Sequence, residues 1–405
     1  MKQANAFLPV YTADNSAMCS ALYELGGLLV MHDASGCNST YTTHDEPRWY
    51  ADPAHAFISA LTEVDAVLGN ENRVIEDICD AAADFHPNFI CLAGTPIPMM
   101  IGTDYDGIAR EIEARSGIPA FGVDTNGTCD YVAGCGKAFA GLANRFCQEK
   151  LPKTGRLSVN LLGVTPLDFS LNGSHRELKA LFEAEGIAVN ACFAMEDTLE
   201  AVKRASAAHV NVVVTASGLP AAKLLFSRFG TPFVIGAPVG DFMTGAVMKA
   251  VRAAAEDGGS RNLAVGVRGN DSDEAPLFVI GEPVTAAAVR ASLIRDFGET
   301  NVRVLTSLTC DKMLLAAGDR PDLCEDDYLE LLPGARGAVA DPMFRALLRL
   351  AGKDDIAFAE WPHTALSGRI WMDAMPHFVG AGFNRWWQGA LAAPSLVLSD
   401  YPEQH

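Results

Sequence analysis

Residues 210–230, VNVVVTASGLPAAKLLFSRFG, contain the pattern that decides the fold class. A Val-rich run typical of a buried strand ends in a turn with Gly and Pro, and an amphipathic helical pattern follows and stops at Gly230. Strands that alternate with helices in this way predict an α/β protein whose parallel sheets are flanked by helices. The same order recurs in FICLAG-TPIPMMIGTDYDGIAREIEARSG (89–117), LSVNLLG-VTPLDFSLNGSHRELKALFEAEG (157–186) and LFVIG-EPVTAAAVRASLIRDFG (277–298).

Two polar junctions divide this pattern into units. A stretch with Lys, Pro and Gly spans about residues 148–156, and a stretch rich in Gly, Ser and Asp spans about residues 256–275. A chain of 405 residues also exceeds the size at which a single core keeps growing. We therefore predict three Rossmann-like domains, at residues 1–150, 151–270 and 271–405, with ligands in clefts at the carboxyl ends of the strands.

The charge of the chain narrows the class of partner. A net charge of −19 and an isoelectric point near 4.8 disfavour nucleic acid and anionic membranes, because both require a basic surface. The first residues lack the apolar core of a secretory signal, and no apolar run reaches the ~18–20 residues that span a bilayer. We expect a cytoplasmic protein whose partners are proteins or small molecules. In that reducing compartment its cysteines are expected to be core thiols and metal ligands, not disulfides.

Cys37 and Cys19 are the cysteines best placed to bind a metal. Cys37 ends the turn HDASGC (32–37), which follows the apolar run LGGLLVM (25–31), and backbone N–H groups in such a turn stabilise a thiolate. Cys19, in NSAMCSALYELGG (15–27), is expected to open a helix in the preceding segment. The alternative for both is a buried apolar cysteine, which is the commonest fate of a free thiol.

Three ordered motifs resemble those of the nitrogenase component 1 type oxidoreductase family. MHDASGC (31–37) is similar to the family's His-Gly-Pro-x-Gly-Cys turn, and ALTEVDAVLGNENRVIEDI (60–78) resembles its Thr-Glu-Leu-x-Glu-x-x-Val-x-Gly-Gly segment. GTPIPMMIGTD (94–104) falls where the family has Thr-Cys-x-x-Glu-x-Ile-Gly-Asp-Asp. The resemblance continues through much of residues 159–240 and to WPHTALSGR (361–369), where the family places a loop that faces the substrate or cofactor cavity. It implies that the first domain binds an iron–sulfur cluster.

The resemblance implies cluster ligands only where this chain supplies a cysteine. Cys19 and Cys37 match the family's first two cysteines, whereas Pro96, which cannot bind iron, replaces the third, so an eight-iron cluster is not expected. Two thiolates from each of two subunits would supply the four that one [4Fe–4S] cluster needs. The resemblance therefore implies a cluster shared across a homodimer, or across a heterodimer with a related component 1 subunit. Cys129, in a turn beside glycine, is the best candidate for a further ligand, ahead of Cys135.

His363 lies near the position of the family's histidine loop. The resemblance implies that it donates a proton or binds substrate, and the alternative is that it only caps the loop through a backbone hydrogen bond. Thr215 stands where nitrogenase has its cofactor cysteine, so a nitrogenase-type cofactor and nitrogen fixation are not expected. For Arg369, His32 and His44, which are weaker candidates, we expect surface or structural roles.

The resemblance favours an enzyme among three classes of function. As a component 1-like oxidoreductase, the chain would receive electrons from an ATP-dependent [4Fe–4S] reductase, which resembles the nitrogenase iron protein, and pass them to a small-molecule substrate. In relatives the substrates are tetrapyrroles, as in dark-operative protochlorophyllide reductase and nickel-sirohydrochlorin reductive cyclase, or small thioethers. The alternatives are a scaffold or carrier for metallocluster assembly and a metal-free binding protein. The chain has no Gly-x-x-x-x-Gly-Lys-Ser/Thr loop, so we expect any use of ATP to belong to the partner.

Overall fold

The computed structural model of the chain describes residues 5–34, 36, 38–39, 41, 45–51, 54–269, 274–353 and 355–392. The strands are β1 (Gly27–Met31), β2 (His55–Ile58), β3 (Phe89–Ala93), β4 (Ala120–Val123), β5 (Ser158–Leu162), β6 (Ala188–Cys192), β7 (Val210–Val213), β8 (Phe233–Ile235), β9 (Arg261–Asn262), β10 (Leu277–Ile280), β11 (Val302–Leu305), β12 (Gly337–Ala340) and β13 (Ala357–Glu360). The α-helices are α1 (Asp14–Leu22), α2 (Glu63–Leu68), α3 (Asn72–Phe85), α4 (Pro96–Ile101), α5 (Tyr105–Ser116), α6 (Tyr131–Phe146), α7 (Pro166–Phe169), α8 (Ser174–Ala184), α9 (Leu199–Lys203), α10 (Leu219–Phe229), α11 (Gly240–Asp257), α12 (Pro283–Asp296), α13 (Glu325–Leu331), α14 (Arg345–Leu350), α15 (Thr364–Ser367) and α16 (Ala381–Ala392).

The strands form three parallel sheets. Their strand orders are β2-β1-β3-β4, β6-β5-β7-β8-β9 and β11-β10-β12-β13. Each named pair runs parallel, and in the first sheet Leu29 pairs with both Ala56 and Cys91. The predicted α/β class with parallel sheets is therefore confirmed. The division at residues 150 and 270 stays a prediction.

The inner strands are apolar because they are covered on both faces. β1, β3, β5, β7, β10 and β12 are buried along their whole length, as expected for parallel strands between helices. One continuous hydrophobic core joins the first two sheets and contains Leu29 and Val213. A second core joins the second and third sheets and contains Val159 and Val279. The clefts between the sheets are therefore held by shared packing.

Glycines end the helices close to where the sequence predicts. α5 and α10 end at Gly117 and Gly230, which both have φ of 72° and adopt the left-handed conformation that glycine tolerates. α8 and α12 end two residues before the predicted glycines, at Ala184 and Asp296.

The strand order gives each sheet one topological switch point. These points lie between β1 and β3, between β5 and β7, and between β10 and β12, where successive connections leave in opposite directions. Ligands of open parallel sheets bind at the carboxyl ends of such strands. The three switch points are thus the places to look for a site.

A segment that we call the N-terminal strap, residues 6–14, links the third sheet to the first. The backbone N–H groups of residues 6–8 donate to the carboxylate of Glu325 over 2.7–3.0 Å. Farther along, the N–H group of Thr12 donates to the carbonyl of Ala365 over 2.7 Å. The strap then enters α1, so it is bonded to α13 at Glu325 and to α15 at Ala365 before the first unit begins.

No helix within the described ranges is both long enough and apolar enough to cross a membrane.

Candidate functional site

Helix α1 carries Cys19 in its interior. The helix begins at Asp14, five residues before the predicted start at Cys19, because the carboxylate of Asp14 anchors it by accepting the N–H groups of Asn126 and Gly127 over 3.1 and 2.7 Å. Cys19 is fully buried, and this burial, followed by the negative charge of Glu46, raises the pKa of its thiol. The thiol is therefore held neutral unless a ligand takes its proton.

A buried ionic network lies beside Cys19. Glu46 accepts the Nε–H group of Arg48 over 2.6 Å and the hydroxyls of Ser20 and Tyr41 over 2.6 and 3.0 Å. Arg48 also donates to Glu24 over 2.8 Å. These contacts fix Tyr41, Glu46 and Arg48 against the flank of α1.

Cys37 itself lies outside the described residues, as does His44. The next residue, Asn38, accepts the side-chain N–H of Asn15 over 2.6 Å and donates to Asp33 over 2.6 Å. Asn15 and Cys19 are four residues apart on α1 and so lie on one face of the helix. The residue that follows Cys37 therefore docks on the face that carries Cys19.

Cys129 lies in the loop between β4 and α6 and is half-buried. Its carbonyl accepts the N–H group of Asp14 over 3.0 Å, which places the loop at the start of α1. Pro96, at the position of the missing third cysteine, abuts this loop, because a Cβ atom on Gly127 would lie 2.8 Å from the Cδ atom of Pro96. A cavity of about 310 Å³ opens beside Cys129. Cys135, by contrast, is buried in α6 and donates to the carbonyl of Ala17 over 3.3 Å.

Cys19, the loop of Cys129 and the residue that follows Cys37 are thus arranged around one helix. Within the described ranges, no three His, Cys, Asp or Glu side chains are grouped closely enough to hold a metal ion. A cluster at this place would need thiolates from beyond those ranges or from a second chain.

His363 lies in a second cluster, at the carboxyl ends of β5, β10 and β12. Its Nε2 atom lies 3.1 Å from Oδ1 of Asp168, and the same Oδ1 accepts the hydroxyl of Tyr131 over 2.5 Å. The backbone N–H group of His363 donates to Asp341 over 2.7 Å. The backbone of His363 is thus fixed by Asp341 and its ring bonds to a buried carboxylate, while its role stays a prediction.

Glu282 bridges the second and third sheets. Its carboxylate accepts the N–H groups of Ala216, Val284 and Thr285 over 2.7, 3.1 and 2.8 Å, and so caps α12. Burial, followed by the negative charge of Asp168, raises the pKa of Glu282 to about 7. A carboxyl group with this pKa exchanges its proton near neutral pH.

These groups enclose what we call the inner cavity, a space of about 30 Å³ lined by Asp168, Glu282, Asp341, His363 and Tyr11. That volume accommodates about one water molecule. The Nδ1 atom of His363 is buried and finds no hydrogen-bond partner among the described residues.

A larger space, which we call the outer groove, lies on the other side of Tyr11. It has a volume of about 540 Å³ and is lined by the strap, by Ser16 and Ser20 of α1, and by residues 364–370. This volume suits a small organic molecule. Tyr11 lines both spaces, and its ring centroid lies 5.6 Å from that of His363.

The weaker candidates have structural contacts. Arg369 lines the outer groove and donates to the carbonyls of Glu46 and Pro47 over 3.1 and 2.8 Å. The Nδ1 atom of His32 lies 2.8 Å from the hydroxyl of Ser59.

Thr215 also has a structural contact. Its hydroxyl donates to the carbonyl of Gly163 over 2.7 Å, which ties the end of β7 to the end of β5.

Sequence reasoning missed the carboxylates of the inner cavity. Asp168, Glu282 and Asp341 occur in the sequences TPLD, GEP and ADP, each just after a strand and close to a proline. Acidic residues at the carboxyl ends of inner strands were the available signal, because such ends converge on a cleft.

Comparisons with known proteins agree on one family. Residues 21–271 match the family model described as "Nitrogenase component 1 type Oxidoreductase". The nitrogenase iron-molybdenum cofactor biosynthesis protein NifE of Clostridium pasteurianum is 26% identical over 186 residues, which are 44% of this chain and 39% of that protein. One of the subunits of the light-independent protochlorophyllide reductase of a Picosynechococcus species is 26% identical over 201 residues, or 47% of this chain and 40% of that protein. These alignments span about two fifths of each relative's length.

A solved structure described as "Nitrogenase Cp1 at pH 6.5" has the same fold. It superposes with a TM-score of 0.72 at 16% identity, covering 100% of this chain and 98% of that chain.

Proposed function

This chain belongs to the nitrogenase component 1 type oxidoreductase family, and from that premise we propose that it is a component 1-like oxidoreductase subunit with an interfacial iron–sulfur cluster. The ligands in this proposal are Cys19 and Cys37, with Cys129 as a further candidate, and the substrate is a small molecule in the outer groove. The observation that supports it most is the convergence on α1. This helix carries Cys19 and contacts both the neighbour of Cys37 and the loop of Cys129.

The donor chemistry fits such a cluster. Thiolates are the usual ligands of iron–sulfur clusters, and a [4Fe–4S] cluster takes four. A two-fold interface would bring Cys19 and Cys37 together twice, so a homodimer or a heterodimer with a related subunit meets the count. The cavity beside Cys129 leaves that thiol accessible as an additional ligand.

The position of the outer groove supports this use of electrons. Ser16 and Ser20 line the groove from the helix that holds Cys19, so a molecule bound there would contact that helix. When bound, the cluster supplies single electrons, which in this proposal come from an ATP-dependent [4Fe–4S] reductase similar to the nitrogenase iron protein. The chain's own residues position the molecule, exclude water and, at His363, supply a proton.

The acidic composition and the cysteines support the proposed partners and the proposed location. With a net charge of −19, the surface disfavours nucleic acid and anionic membranes as partners. A cytoplasmic location would keep the cysteines reduced and available to iron.

A second candidate function is a scaffold for metallocluster assembly. It is supported by the similarity to NifE, which is described as a cofactor biosynthesis protein. A scaffold would release its cluster to an acceptor protein and would turn over no organic substrate.

The test is an anaerobic purification with iron and sulfide measured per chain, followed by electron paramagnetic resonance after reduction. The proposal expects about two irons per chain in a dimer. The signal should be lost in Cys19→Ala and Cys37→Ala and kept in Cys147→Ala, a matched control because Cys147 is buried at the end of α6. Protein that stays iron-free after reconstitution contradicts the proposal, and transfer of the cluster to an apo-acceptor without turnover favours the scaffold.

A further inference from the structure

The inner cavity is lined by hydrogen-bond acceptors. Nε2 of His363 and the hydroxyl of Tyr131 both contact Oδ1 of Asp168, so a proton on Nε2 satisfies this contact, and Nδ1 is an acceptor whenever the ring carries that proton alone. This Nδ1 atom is buried and unpartnered among the described residues. An acceptor left unpaired in the interior costs free energy, so the cavity is suited to a donor.

The carboxylates around the cavity add more acceptors. Asp341 already accepts the N–H groups of His363 and Met343 over 2.7 and 2.9 Å, and Glu282 accepts three backbone N–H groups. The two oxygens of a carboxyl group have about four sites for hydrogen bonds, so Glu282 keeps one for the cavity, which is a donor when the group is protonated.

No Lys or Arg is among the described residues that line the inner cavity. Ionised Glu282 would therefore face ionised Asp168 without a compensating cation, which favours a neutral, protonated Glu282. The titratable groups that face Glu282 are Asp168 on α7, Asp341 after β12, His363 before α15, Tyr131 on α6, Tyr11 in the strap and Cys310 after β11.

We propose that the inner cavity is a proton store, in which Glu282 holds a transferable proton and shares it with Nδ1 of His363 through one bound water molecule. The volume of about 30 Å³ holds one such molecule. On transfer, the O–H bond of Glu282 breaks and an N–H bond forms at Nδ1, while the water gives up one proton and receives another. The products are a Glu282 carboxylate and a His363 imidazolium, and no oxidant or reductant is involved.

The store is placed to serve the outer groove. His363 is next to Tyr11, the side chain shared by the two spaces, so the imidazolium stands behind the wall of the groove. Reduction of an unsaturated substrate consumes protons together with electrons, and a buried acid supplies them without opening the groove to solvent. Use of the store in turnover rests on the proposed function, whereas the store itself belongs to the resting protein.

Glu325 offers a matched control for Glu282. Both glutamates are buried and accept three backbone N–H groups. Although burial raises the pKa of Glu325, its backbone donors outweigh that effect and lower the pKa below the ordinary value. Glu325 lies at the strap and does not line the inner cavity.

The test is an infrared titration of the resting protein, which follows the C=O stretch of protonated carboxyl groups. Wild type should show this band at about pH 6 and lose it by about pH 8. Glu282→Gln should lack the band, Glu325→Gln should keep it, and Glu282→Asp should keep a band with a shifted midpoint, which covers the case that the Gln variant fails to fold. A band that survives in Glu282→Gln, or no band in wild type, overturns the proposal.

Two further readouts separate the store from the proposed function. A high-resolution crystal structure should show one water within hydrogen-bond distance of Glu282 and Nδ1 of His363, and a dry cavity overturns the proposal. Both this result and the infrared result are independent of bound iron, so a protein without a cluster can still have the store. If turnover is found, Glu282→Gln should lower kcat by about tenfold or more and remove the inflection near pH 7.

Discussion

Nε2 of His363 lies 3.1 Å from Oδ1 of Asp168, although 195 positions separate the two residues in the sequence. The contact joins the residues after β5 in the second sheet to the loop after β13 in the third. A bond over this distance in sequence forms only when both units have folded and docked. The pair therefore reports on the docking of these two units.

Asp168→Asn should destabilise the protein. The hydroxyl of Tyr131 and Nε2 of His363 lose a charged acceptor, and we expect the free energy of unfolding to fall by about 2 kcal/mol. Chemical denaturation followed by circular dichroism measures the change. Asp257→Asn, at an exposed residue that contacts Arg261, is the control and should leave the midpoint in place. Equal midpoints for Asp168→Asn and wild type would contradict the role given to this contact.

Glu282 should make the protein less stable as the pH rises, whereas carboxylates with a lowered pKa have the opposite effect. Its pKa of about 7 in the folded protein lies above the ordinary value of 4.5, so the folded state binds more protons than the unfolded state between these values. This contribution to stability falls as the pH rises from about 4.5 to about 7 and is constant above that range. Thermal melts across this range should show a fall in wild type that is smaller in Glu282→Gln.

Glu325 should affect stability with the opposite dependence on pH. Because its pKa is lowered by the N–H groups of the strap, its contribution is present above the ordinary pKa and is lost as the pH falls through the folded value. Glu325→Gln should therefore lose stability at neutral pH and approach wild type in acid. Parallel pH curves for Glu282→Gln and Glu325→Gln would refute this assignment.

Arg48→Met should be among the most destabilising single changes. Arg48 and Glu46 are both buried, and removal of the guanidinium leaves Glu46 as an uncompensated charge. The expected loss is about 3–5 kcal/mol, measured by urea denaturation. Arg73→Met, at an exposed arginine that contacts the half-buried Asp65, is the control and should change little. A loss no larger than that of the control would mean that solvent reaches Glu46.

Cys129→Ala tests the additional cluster ligand. If Cys129 binds iron, Cys129→Ala should lower the affinity for iron after reconstitution by about tenfold or more. Losing a residue that only hydrogen-bonds to a metal ligand already has an effect of this size. Cys135→Ala is the control, since the Cys135 thiol is buried and bonded to the carbonyl of Ala17. Iron content and thermal stability should be measured together. Equal iron retention in the two variants would remove Cys129 from the ligand set.

The sequence predicted the strands, the parallel sheets and the helix ends with good accuracy because these depend on local patterns. The Val-rich run at 210–213 and the helix that stops at Gly230 need only neighbouring residues to be recognised. The start of α1 was misplaced because its anchor, Asp14, bonds to Asn126 and Gly127, which are far away in sequence. Local patterns do not reveal such partners.

The carboxylates of the inner cavity were missed for the same reason. Each is one acidic residue after a strand, and its meaning depends on which strand ends face each other. Glu282 and Ala216 are 66 residues apart, and only the docking of two sheets brings them into contact. His363 was found by resemblance, whereas its partner Asp168 required the fold.

The N-terminal strap has a consequence for kinetics. Both walls of the outer groove are bridged where Thr12 meets Ala365, and the strap is fastened at Glu325 by charge-assisted hydrogen bonds. A compound bound in the groove would contact the strap, so loosening the strap at Glu325 should weaken part of its binding surface. We therefore expect Glu325→Gln to speed the dissociation of such a compound.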